Sequence, residues 1–112
     1  MTKEEYLLCC LAEELSEMSQ AVGKCLRFRP MNRFEKGGPT NLDNVCTEFT
    51  DVMTLIHMLE TQGIPIKHTG SADEIEKTFR LNHFYEYSEE INVVDNRYYD
   101  KGINLVYDKG LK

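Results

Sequence analysis

The sequence predicts an all-α protein: an antiparallel pair of long helices, a shorter third helix and a C-terminal extension. Three observations carry that prediction. Two long segments without proline repeat their apolar residues at alternating spacings of four and three, the period of a single helix face. Gly and Pro gather between those segments, at Gly37-Gly38-Pro39 and Gly63-Ile64-Pro65, where helices must stop. Strand-like runs, Asn92-Val93-Val94-Asp95 and Ile103-Asn104-Leu105-Val106-Tyr107, come only after Ser88 and can form an extended stretch or a small hairpin.

The first helix runs from Thr2 to about Phe28. It is rich in Leu, Ala, Glu, Met and Lys, all good helix formers, and Thr2 with Glu5 forms a capping box. Leu11, Leu15, Met18, Val22 and Cys25 form its apolar stripe. The helix stops at Arg29-Pro30, because a residue before proline is driven out of the helical region. Pro30 to Asn41 is then a connector long enough to suggest a functional or mobile loop. Thr40 or Asn41 caps the second helix, Leu42 to about Gln62, whose stripe is Val45, Phe49, Val52, Ile56 and Leu59. Ser71 with Glu74 is a further capping box, opening a third helix from Ala72 to about Tyr87. Residues 1–87 form the helical domain and residues 88–112 its extension. Two helices cannot enclose their own stripes. A dimer that completes a four-helix bundle, or a tetramer built from it, is therefore expected.

At 112 residues there is room for one core, and 41% hydrophobic residues suffice to build it, so a cleft between two lobes is not expected. Nineteen acidic residues against 13 basic ones give a net charge of -6, the wrong sign for a general nucleic-acid binder. Glu4 and Glu5 stand where a secretory signal would be basic, and no apolar run reaches the ~20 residues of a membrane span. Cys9, Cys10, Cys25 and Cys46 lack C-x-x-C spacing and read as reduced thiols, so a cytoplasmic setting without membrane or nucleic-acid partners is expected.

Chemistry concentrates in acids. Glu14 and Glu17 are three apart beside the first stripe, and Glu48 and Asp51 are three apart in the same relation to the second. If the stripes pack together, four carboxylates converge at the border of the interface. Like charges so placed need protons or a cation. Oxygen-only ligands favour a hard ion, Mg2+ or Mn2+, and Mg2+ commonly bridges a carboxylate to substrate phosphates. Acidic residues beside a seam also occur as merely solvated flanks, in which case the chain is a non-catalytic helical interaction or metal-binding regulatory protein. A carboxylate-bridged di-iron bundle is disfavoured, since no Glu is followed three residues later by His.

Glu13-Glu14-x-x-Glu17, the following Ser19-Gln20-Ala21-Val22-x-Lys24-x-Leu26-Arg27-Phe28, and Glu48-x-x-Asp51 resemble the MazG-like all-α nucleoside triphosphate pyrophosphohydrolases. That family's signature is EExxE, a variable connector and ExxD; the connector here, Met18 to Thr47, has 30 residues. The likeness covers roughly residues 8–63. It implies Mg2+-dependent hydrolysis between the α and β phosphates of a (deoxy)nucleoside triphosphate, giving a monophosphate and pyrophosphate, in nucleotide pool control. By the same resemblance Glu14, Glu17, Glu48 and Asp51 hold the metal. Glu13 or a ligating carboxylate such as Glu17 accepts the proton of the attacking water.

Other residues have two readings each. Lys24 lies two turns beyond Glu17 on the same face, either holding outer phosphates or pairing with Glu17 or Gln20. Arg27 can reach a phosphate and Phe28 a base, or they can serve as a helix-end cation and a core residue. Arg33 and Lys36 can close over a triphosphate or stay solvated, and Asn41 is read as a cap. His57, His68 and His83 are not read as ligands.

Overall fold

The computed structural model describes residues 1–94. They fall into two compact units, Met1–Ile66 and a second that begins at Lys67. Described residues form three α-helices and no strand: α1 Lys3–Phe28, α2 Asn41–Thr61 and α3 Ser71–Glu90. None of them is long and apolar enough to cross a membrane. The predicted strand-like residues Asn92 to Val94 form turns, held by the Val93 and Val94 amides donating to the Ser88 carbonyl at 3.0 and 3.2 Å. Ile103 to Tyr107 lie outside the described residues, as does the rest of the extension beyond Val94.

The ends of α1 and α2 have local causes. Thr2 caps α1 in a complete capping box with Glu5, which satisfies two amides that the first turn leaves unpaired. Arg29 ends the helix at φ 75 and ψ 145, the extended ψ that a following proline demands. Thr40, not Asn41, caps α2, exchanging hydrogen bonds with Asp43 in a second capping box. At the far end the chain leaves α2 through Gly63 at φ +88, where glycine avoids the left-handed penalty.

The connector is ordered. The Asn41 amide donates to the Asn32 carbonyl and the Leu42 amide to the Pro30 carbonyl, both at 2.8 Å. Arg33 pairs with Thr40 in an antiparallel bridge, and its Nε donates to the Gly38 carbonyl at 2.9 Å. The Asn41 side chain, nearly buried, donates from Nδ2 to the Arg29 carbonyl at 2.8 Å, so it staples the end of α1 to the start of α2.

Between the two helices the core is Leu7, Leu11, Val52 and Leu59, with Met18, Leu55, Ile56 and Ile64 packed against it. Leu59 is fully enclosed, a burial worth about 1.5–3 kcal/mol. The seam differs from the predicted stripe by one helical position. It runs through Leu7, Leu11, Glu14, Met18, Ala21 and Cys25, while Leu15 and Val22 are 50% and 51% exposed. On α2, Phe49 is 51% exposed and Glu48 is half-buried. A two-helix contact covers only a narrow strip of each helix, and here that strip lies toward the acidic edge of each stripe. Leu8, Leu15 and Val22, seven apart on α1, remain an exposed row, as do Leu42 and Phe49 on α2.

In the second unit, Gly70 is the N-cap of α3 and offers no side-chain cap, so Ser71 opens the helix rather than capping it. His68 does related work. The Gly70 amide donates to its Nδ1 at 2.8 Å, which leaves Nε2 to carry the proton and donate to Glu74 at 2.9 Å. No residue of α3 is buried.

Candidate metal centre

Helical periodicity puts Leu7, Leu11 and Glu14 on one line of α1, so the residues that drive α1 onto α2 also carry Glu14 into the seam. On α2, Glu48 lies one turn before Val52 and Asp51 immediately precedes it. The result is that Glu14, Glu48 and Asp51 each offer a carboxylate oxygen, and these oxygens all lie within 4.8 Å of one another. Glu14 and Glu48 are half-buried and Asp51 is exposed.

The Glu14 carboxyl holds its proton above the ordinary value of 4.5. Loss of hydration at the seam is the largest cause, followed by the negative charges of Asp51 and Glu48, a hydrogen bond with Glu48 that requires a shared proton, and the charge of Glu17. Such a group prefers a neutralising partner, which a cation supplies as well as a proton does. The donor set fits a hard divalent ion: three carboxylates from two rigid helices, with no sulfur or imidazole in the cluster.

Of the four acids expected as ligands, then, three converge. Glu17 instead lines an adjoining cleft of about 150 Å³ together with Glu48, Gln20, Lys24, Asn44 and Thr47. Glu13 is exposed on the neighbouring row of α1, where its charge raises the proton affinity of Tyr6 after the larger effect of Cys10. It is not one of the three grouped acids.

A second cleft, of about 320 Å³, is lined by Lys24, Phe28, Arg33, Phe34, Asn41 and Asn44. Lys24, Asn41 and Asn44 border both clefts, so together they form one groove that leads from Glu48 past a lysine to a pair of phenylalanines. Of the residues named for substrate contact, Lys24 and Phe28 line this groove. Arg27 does not; its guanidinium lies 4.8 Å from the centroid of the Phe28 ring, a cation–π contact that braces the phenylalanine. Arg33 lines the groove and Lys36 does not.

Sequence reasoning missed Phe34 and Asn44. Asn44 could have been found, since it lies one turn before Glu48 on α2. Phe34 sits in the connector, whose path depends on hydrogen bonds that no periodicity announces. The four cysteines are free thiols, with Cys25 pushed to a higher proton affinity by burial first and then by Cys46. His57 and His83 are exposed and, like His68, lie outside the acidic group. Comparison of this chain with protein-family models, with curated proteins and with solved structures gave no match.

Proposed function

We propose that this protein is a Mg2+-dependent hydrolase of (deoxy)nucleoside triphosphates, releasing a monophosphate and pyrophosphate, with Mn2+ as an alternative ion. The observation that carries the reading is the meeting of Glu14, Glu48 and Asp51 within 4.8 Å, with Glu48 also lining the groove that contains Lys24 and two phenylalanines. An acid cluster alone answers only to a cation. A cation site that opens into a groove with a basic side chain and aromatic walls answers to a ligand that is polyanionic at one end and flat and apolar at the other. A nucleotide has that construction.

Glu14, Glu48 and Asp51 would hold the ion, which when bound supplies Lewis-acid polarisation of phosphoryl oxygens and a more acidic water. Lys24 contributes a point charge for the phosphates that extend along the groove. Glu17, which borders the same groove as Glu48, or Glu13 would accept a proton from the attacking water. The exposed rows Leu8, Leu15, Val22 and Leu42, Phe49 are suited to pairing the hairpin with a second copy in a four-helix bundle. This assignment follows the MazG-like pattern of the acidic motifs and places the protein in cytoplasmic nucleotide pool control.

Purified full-length protein with Mg2+ and a panel of ribo- and deoxyribonucleoside triphosphates tests the proposal by pyrophosphate release. Glu48→Ala and Asp51→Ala are each expected to lower the rate roughly 10²-fold or more. Absence of pyrophosphate release from every triphosphate, in a protein that is folded and binds Mg2+, returns the chain to a non-catalytic metal-binding role.

A further inference from the structure

The larger cleft has a composition that the acids do not explain. Its six lining residues come from three sources whose positions are independently set. Lys24 and Phe28 are four apart and so project from one face of α1; Asn41 and Asn44 are three apart on α2. Arg33 and Phe34 belong to the connector, where the Arg33–Thr40 bridge and the Arg33 Nε bond to Gly38 hold the backbone in place. A preformed wall of this kind loses little conformational entropy when a ligand arrives.

We infer that Phe34, together with Phe28, forms the face on which the planar base of the nucleotide stacks, and that Asn44 reads the base edge, so that the connector supplies the stacking face and the first turn of α2 sets base preference. This inference rests on the nucleotide reading above and extends it to residues that the acidic motifs do not include. Two phenyl rings in one cleft of about 320 Å³ suit a flat aromatic group, and stacking is tolerant of base identity because every base has a π face. Discrimination then needs a hydrogen-bonding edge. The Asn41 amide is committed through Nδ2 to the Arg29 carbonyl, a structural duty that keeps the connector closed. Asn44, one turn further along α2 and exposed, brings a carboxamide that both donates and accepts. Lys24, shared with the smaller cleft, marks the direction in which the phosphates leave the base.

The test is calorimetric and separates ring recognition from hydrolysis. Full-length protein in Mg2+ is titrated with the α,β-imido analogues of ATP, GTP, CTP and UTP, and with inorganic tripolyphosphate, which has the charge but no ring. At least one analogue should bind more tightly than tripolyphosphate. Phe34→Ala should weaken that analogue roughly tenfold or more, leave tripolyphosphate unchanged, and be rescued by Phe34→Trp. Asn44→Ala should alter the ranking of the four bases. Phe34 is 57% exposed, so its truncation is not expected to unfold the chain, which circular dichroism verifies. Equal affinity of wild type and Phe34→Ala for every analogue overturns the inference, as does tripolyphosphate binding as tightly as the best analogue. If Phe34-dependent binding is found but no triphosphate is hydrolysed, the hydrolase reading falls and the base site stands. If pyrophosphate is released but the Phe34 variants match wild type, the base site falls alone.

Discussion

Glu14 and Asp51 come from different helices, yet each places a carboxylate oxygen within 4.8 Å of the other and of Glu48. Nothing about either helix in isolation requires that approach. It is imposed by the apolar residues on either side, Leu7 and Leu11 on α1 and Val52 and Leu59 on α2, whose burial closes the seam on which the acids lie.

Repulsion stored this way predicts opposite effects with and without a cation. In a chelating buffer Glu14→Gln should melt at a higher temperature than wild type, because one negative charge leaves a crowded site. In millimolar Mg2+ or Mn2+ the order should reverse, since wild type gains stability by mass action and the variant gains less. Thermal denaturation in both buffers measures this. A Glu14→Gln protein that melts below wild type in chelator shows that the carboxylates are not in conflict.

Proton linkage gives a second prediction, with two groups of opposite sign. Glu14 binds its proton more tightly folded than unfolded, so its contribution is fully present below about 4.5 and is lost as pH rises through the folded value. Asp43 is held below its ordinary 3.8 by hydrogen bonds from the Thr40 amide and hydroxyl, so its contribution is present above 3.8 and lost as pH falls through the folded value. Urea titrations across pH should therefore show Glu14→Gln flattening the decline above pH 4.5 in chelator. Thr40→Ala should flatten the acid limb and cost about 1 kcal/mol near neutrality through loss of the cap. If the difference between Thr40→Ala and wild type is the same at every pH, the cap does not act through Asp43.

A third prediction separates core from interface. Leu59→Ala should cost about 2–5 kcal/mol by chemical denaturation, since the side chain is wholly enclosed. Leu15, half exposed in the Leu8, Leu15, Val22 row, should behave differently: Leu15→Glu should leave the helical content intact and shift the protein to monomer in sedimentation velocity. A wild-type protein that already sediments as a monomer, or a Leu15→Glu protein with the wild-type sedimentation profile, removes this row from the proposed pairing.

The sequence by itself determined the all-α class, the boundaries of the first two helices within a residue or two and their antiparallel pairing. It also marked the two acid pairs as neighbours of the apolar stripes. These are local properties: a 3.6-residue period, a capping box at Thr2 and Glu5, a proline after Arg29 and a glycine at position 63 act over a few residues and can be read without knowing the partner. Tertiary structure alone decided which line of the stripe faces inward. The choice of Leu7, Leu11, Glu14, Met18 and Ala21 over a line through Leu15 and Val22 depends on how two helices fit against each other. That fit drew Glu14 into the seam, left Glu17 in the neighbouring cleft and kept Leu15 bare. The connector followed the same rule. Its hydrogen bonds, Arg33 Nε to Gly38 and Asn41 Nδ2 to Arg29, join residues five and twelve apart without periodicity, so Phe34 entered the groove only once the chain had folded.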